Sequence, residues 1–139
     1  MCGIAGLIHK GKTVNIGKEL QDMLQALKHR GPDSTGFALY GQGNNQGDYI
    51  MRCKVGENVA EGSSAVNEDK SVYDERRKQV DKHIRELGGS IINDAQLTPY
   101  SFRYCIKYDK DLMEFSKRIE SVKMTEILSL GKSLELVKD

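Results

Sequence analysis

Apolar residues change their spacing several times along this chain, and each change marks an element. Leu20, Met23, Leu24 and Leu27 recur at the three-and-four step that lines one side of a helix, with Asn15 placed to cap it. The spacing predicts a helix over 16–29 that stops at Gly31-Pro32. Ahead of it, Gly3-Ile4-Ala5-Gly6-Leu7-Ile8-His9 is an apolar run with glycines where side chains would crowd a neighbouring backbone. It predicts a buried central strand over 3–9 with the helix packed upon it. Phe37-Ala38-Leu39-Tyr40 and Tyr49-Ile50-Met51-Arg52-Cys53 read as two more strands, joined by the glycine-rich loop 41–48. No helix pattern follows that loop and no Gly-Lys-Ser/Thr is present, so it is not a phosphate cradle.

Past Gly56 the pattern restarts. The polar run 57–70 reads as a linker, and a helix over 72–87 carries Tyr73, Val80, Ile84 and Leu87 on one side before stopping at Gly88-Gly89. The mixed charges from Asp74 to Glu86 read as its solvated face. Ser90-Ile91-Ile92 opens a strand, and 100–108 alternates as another, its Phe102, Tyr104 and Tyr108 reading as packed core rather than a base-stacking platform. A second helix from about Asp109 presents Leu112, Phe115, Ile119 and Val122 to the same sheet, and 125–130 with 134–137 reads as a hairpin around Gly131-Lys132-Ser133. The fold class is α+β, divided into an amino-terminal part, 1–56, and a linker with a small α+β unit, 57–139.

Charge and composition narrow the function classes. The 139 residues carry 21 basic and 20 acidic side chains, a net charge of +1, so no electrostatic case exists for a nucleic acid or membrane partner. No apolar stretch is long enough to span a bilayer and Met1 to Lys10 lacks the blocks of a signal peptide, which makes the cytoplasm the expected location. The three cysteines, Cys2, Cys53 and Cys105, are odd in number and widely spaced, indicating neither a disulfide framework nor a metal site. Cys53 and Cys105 sit inside strand patterns and read as inert small hydrophobes.

Cys2 is different in kind. Removal of Met1 would leave a thiol with a pKa of about 8.5 and an α-amine of about 7.7 to 8.0 on one residue, placing nucleophile and base together. Position alone also admits a small buried hydrophobe that follows the initiator. Beyond it, Arg30 and Asp33 flank a Gly-Pro turn and read as pairing with each other or with backbone groups to shape that loop; His9 and His29 lie in no recognisable cysteine–histidine motif.

Met1-Cys2-Gly3-Ile4-Ala5-Gly6, followed by His29-Arg30-Gly31-Pro32-Asp33-Ser34-Thr35-Gly36, resembles the class II glutamine amidotransferases, which are N-terminal nucleophile hydrolases. The Arg-Gly-Pro-Asp-Ser-x-Gly turn, the Ala-Leu-Tyr strand after it and the segment 129–139 are similar to amidotransferase subunits of glutamate-synthase-like and N-methylglutamate-synthase-like systems. Asparagine synthetase shares a His-Arg-Gly-Pro-Asp turn but proceeds directly to its next active-site segments, whereas 57–139 reads here as an insertion. The resemblance implies part of a four-layer αββα sandwich, with Cys2 as catalytic nucleophile and Arg30 and Asp33 contributing to the architecture of the glutamine pocket. It implies glutamine as substrate, a synthase subunit as recipient of the ammonia, and no cofactor.

The family pattern departs further on. It continues with an arginine-containing substrate segment, an Asn-Gly pair serving the oxyanion and a later acidic residue, and none of these is found before Asp139. The chain therefore reads as truncated, and uncovered sheet surface is expected to drive oligomerisation or aggregation in isolation. The runner-up reading is a catalytically silent interaction or regulatory module that keeps the nucleophile-bearing strand without the pocket; the amidotransferase part of an asparagine-synthetase-like enzyme is the other alternative.

Overall fold

The computed structural model describes residues 3–11, 15–30, 36–41, 48–57 and 68–138, and the chain divides into two compact units, the first containing Met1–Gly36 with Lys138–Asp139 and the second Phe37–Val137. In the first unit, helix α1 spans Ile16–Ala26, and Asn15 caps it by accepting the Lys18 N–H at 3.1 Å. A single 3₁₀ turn, Lys28–Arg30, follows. Leu20, Met23, Leu24 and Leu27 are half-buried, and no residue of α1 is fully buried.

The predicted strand over 3–9 is not formed. Those residues have no regular structure, and Ile4 and Ile8 are 95% and 91% exposed. A strand needs a partner's backbone to satisfy its own N–H and C=O groups, and an apolar run with two glycines supplies no local substitute.

The described residues from Gly36 to Lys138 form six strands and two helices, in the order β1 (Gly36–Tyr40), β2 (Asp48–Lys54), α2 (Lys70–Glu86), β3 (Ser90–Thr98), β4 (Ser101–Lys107), α3 (Leu112–Glu120), β5 (Glu126–Gly131) and β6 (Leu134–Lys138). Four strands form one sheet in the order β3-β4-β2-β5, with every neighbouring pair antiparallel. The run β2-α2-β3-β4-α3-β5, with β4 inserted between β2 and β3, is the split-βαβ arrangement of ferredoxin-like folds. Its helices begin at Asp69 and Asp111, whose carboxylates accept the N–H groups of Ser71 and Met113 at 2.8 and 2.7 Å. Helix α2 ends as its glycines require. Gly88 takes a φ of +88°, its N–H reaches the Arg85 carbonyl, and the Gly89 N–H reaches Ile84, both at 2.9 Å.

Both helices cover one face of this sheet. Tyr73, Val80 and Ile84 of α2 and Phe115 and Ile119 of α3 pack with Met51, Cys53, Phe102, Tyr104 and Ile106, all buried, as the periodicities predicted. Strand β3 runs to Thr98, well past Ile92, and all its residues except Ile91 are exposed.

One further arrangement differs from the sequence reading. The segments 126–131 and 134–138 do not pair as a hairpin: β5 pairs with β2, and β6 pairs with β1 in a separate two-stranded sheet. Strand β2 lies inside the sheet, bonded to β4 on one side and β5 on the other. The chain thus leaves β1, builds the whole β2–β5 module, and returns to lie beside β1 as β6. This is feasible because the module's ends are neighbours: Ile50 near the start of β2 stands opposite Gly131 at the end of β5.

Candidate functional site

The residues singled out from sequence are largely outside the described structure. Cys2 and Asp33 lie outside the described residues, and for Arg30 only the backbone, in the 3₁₀ turn, lies within them. His9 Nε2 lies 2.8 Å from Glu19 Oε2 on an exposed surface, which ties the segment before α1 to the helix's first turn.

The other two cysteines are placed. Cys53 is fully buried in β2, and burial, with the nearby Asp81 carboxylate, pushes its thiol up to about 12. A thiol held in that state is protonated near neutrality, so Cys53 has the properties of a packed hydrophobe and not of a nucleophile. Cys105, on β4, is half-buried. Among the described residues no group of three or more His, Cys, Asp or Glu side chains is placed to hold a metal ion, and no helix is long and apolar enough to cross a membrane.

Apart from His9 and Glu19, the polar groups brought together among the described residues lie in the β2–β5 module and on β6. Tyr104, 1% exposed, donates its hydroxyl to Asp81 Oδ1 at 2.8 Å; burial first, and then this bond to a carboxylate, raise its pKa. Arg77 lies 4.6 Å from the centre of the Phe102 ring and pairs with Asp94 of β3. Arg76, only 6% exposed, donates to the Val55 carbonyl at 2.8 Å and grips the Glu68 carboxylate, Nη2 to Oε1 at 2.7 Å. The charged side of α2 is therefore not simply solvated: three of its ionisable residues are turned onto the sheet or the loop beside it. On the opposite face of the sheet, Arg52 and Arg103 converge on Glu135. None of these ionisable groups is left open toward a cleft, and their geometry is that of satisfied structural contacts. Alternation did place Arg52 and Arg103 out of phase with their apolar neighbours, but only the strand register reveals that they meet.

Known proteins carry similar sequences. A protein of Methanothermobacter thermautotrophicus provisionally named a glutamine amidotransferase is 34% identical over 143 residues, covering 100% of this chain and 43% of that protein. A provisionally named glutamine-hydrolysing asparagine synthetase of Methanocaldococcus jannaschii is 52% identical over 40 residues, 29% of this chain and 8% of its own length. The glutamine amidotransferase-like protein GlxB of Rhizobium meliloti is 49% identical over 43 residues, 30% of this chain and 14% of its own. This chain spans less than half of each of these relatives. No family model matches it, and no solved structure matches it. All three similarities are to parts of longer proteins whose names refer to glutamine amidotransferases or to a glutamine-hydrolysing synthetase.

Proposed function

We propose that this chain supplies the nucleophile of a class II glutamine amidotransferase: Cys2, exposed by removal of Met1, attacks the side-chain amide of glutamine. The observation that carries the reading is the combination of Cys2 in Met-Cys-Gly-Ile-Ala-Gly, the later His-Arg-Gly-Pro-Asp-Ser turn, and similarity along the whole chain to a protein provisionally named a glutamine amidotransferase. The α-amine accepts the thiol proton and the thiolate attacks the amide carbon. Collapse of the tetrahedral intermediate breaks the C–N bond, and the proton passes to the departing ammonia. Water then attacks the thioester, the amine again taking a proton, and releases glutamate with the thiol restored. Arg30 and Asp33 shape the loop beside the glutamine pocket, and a glutamate-synthase-like subunit receives the ammonia.

In this reading the enclosing fold is the αββα sandwich of N-terminal nucleophile hydrolases, and the β2–β5 module is an insertion between two of its strands. The pairing of β1 with β6 on either side of the module supports that view. The amidotransferase part then comprises the segments up to β1 and from β6 onward.

The test is to treat the protein with a diazoketone analogue of glutamine, map the label by mass spectrometry, and measure ammonia release from glutamine beside Cys2→Ala. Label on Cys2 of Met1-free chains, with release lost in the variant, is the expected result. Label on Cys53 or Cys105, or undiminished release from Cys2→Ala, overturns the assignment.

A further inference from the structure

Arg52 of β2 and Arg103 of β4 stand directly opposite each other in the ladder, on the face of the sheet away from both helices. Like charges opposite one another weaken a strand pair, and these two side chains are only 17% and 29% exposed, so water screens them incompletely. Glu135 of β6 answers both. Its carboxylate accepts from Arg52 Nε at 2.6 Å and, through a two-pronged contact, from Arg103 Nε and Nη2 at 3.0 Å each. These bonds hold the Glu135 carboxyl below its ordinary value. The next residue adds a second attachment: the Leu136 N–H donates to the buried Ser129 hydroxyl oxygen at 3.1 Å. The nearby cation Lys54 is engaged elsewhere, by Glu57 and Glu126.

We propose that Arg52 and Arg103 form a carboxylate site whose occupant is the chain's own Glu135, and that this contact straps β6, and β1 with it, to the open face of the β2–β5 module. The strap lies at a junction with consequence. Strands β1 and β6 flank the module in sequence, so the carboxylate sets how the module's sheet is held against that pair. Glu135 is a positioning residue, acting through Arg52 and Arg103. A two-stranded sheet is marginal by itself, which is why β1–β6 depends on such an anchor. The chemical class that fits the site in place of Glu135 is a small carboxylate.

Hydrogen exchange on the whole chain reads the strap locally. The Gly41 N–H, bonded to the Ser133 carbonyl at 2.8 Å, reports on the β1–β6 pair and the Leu136 N–H, bonded to Ser129 of β5, on the attachment of that pair, while Tyr104 reports on the centre of the larger sheet. In Glu135→Ala the two β1–β6 reporters exchange about ten- to a hundredfold faster, as expected for loss of charge-assisted bonds, with Tyr104 unchanged. Glu135→Gln, which keeps the shape and one acceptor, shows the same local pattern at a smaller size. Sodium formate added to Glu135→Ala restores protection beyond sodium chloride of equal ionic strength. Unchanged exchange at Gly41 and Leu136, a uniform rise across both sheets in both variants, or formate no better than chloride would overturn the proposal.

Discussion

Tyr104→Phe isolates one buried hydrogen bond with almost no change in shape. The Tyr104 ring is 1% exposed in the middle of the core, and its hydroxyl donates to Asp81 Oδ1 at 2.8 Å. Phenylalanine fills the same volume, so no cavity term arises and the loss is that of the bond alone. A hydrogen bond to a charged acceptor contributes about 1.5–3 kcal/mol. Asp81 is half-buried, so water partly replaces the missing donor, which places the expected loss near the lower end, about 1.5 kcal/mol. For a unit of this size that lowers the melting temperature by on the order of 6 °C. Asp81→Asn keeps an oxygen acceptor but removes its charge, and is expected to cost about half as much. Urea titration followed by far-ultraviolet circular dichroism measures both, and the double variant should lose less than the sum because the two changes remove one interaction. A Tyr104→Phe protein within about 0.5 kcal/mol of the parent, or strict additivity of the two variants, refutes the reasoning.

Phe115→Ala empties a fully buried position beside Tyr108, whose ring centre is 4.8 Å away, and should cost about 3–5 kcal/mol. Met113→Ala on the same helix, at a site 65% exposed, should stay within about 0.5 kcal/mol in the same urea titration. Glu135 is held below its ordinary carboxyl value chiefly by the Arg103 bond, with Arg52 adding to it. A depressed folded pKa stabilises above the unfolded value of 4.5 and is lost as the pH falls through the folded one. The stability gap between the parent and Glu135→Gln should therefore narrow in titrations taken below pH 4.5, and a constant gap would contradict the ion pairing. Cys53, buried and pushed up to about 12, should resist maleimide at neutral pH until urea unfolds the chain, as peptide mapping can show.

Periodicity alone located both module helices and their buried sides, because Val80 with Ile84 and Phe115 with Ile119 repeat at the helical step whatever they later pack against. Caps were legible for the same local reason: Asn15 accepts a hydrogen bond three residues along, and Gly88 takes a backbone conformation other residues avoid. Strands were legible only where alternation was strong. Phe102, Tyr104 and Ile106 announced β4, whereas Asn93-Asp94-Ala95-Gln96 carries no such signal and is extended because β4 supplies its ladder. The same dependence undid the expected strand over 3–9, whose apolar residues describe a preference but not a partner.

The candidate chemistry divides along similar lines. The proposal for Cys2 rests on covalent structure alone, since a second-position cysteine freed of Met1 would carry its own base whatever the fold. What tertiary structure alone decided is which residues distant in sequence meet. The pairing of β1 with β6 around a complete module, and the convergence of Arg52, Arg103 and Glu135, depend on strand order and register. Both are set by the burial of whole sheet faces rather than by any local run, and a shift of one residue in register would turn the two arginines from Glu135 into the core.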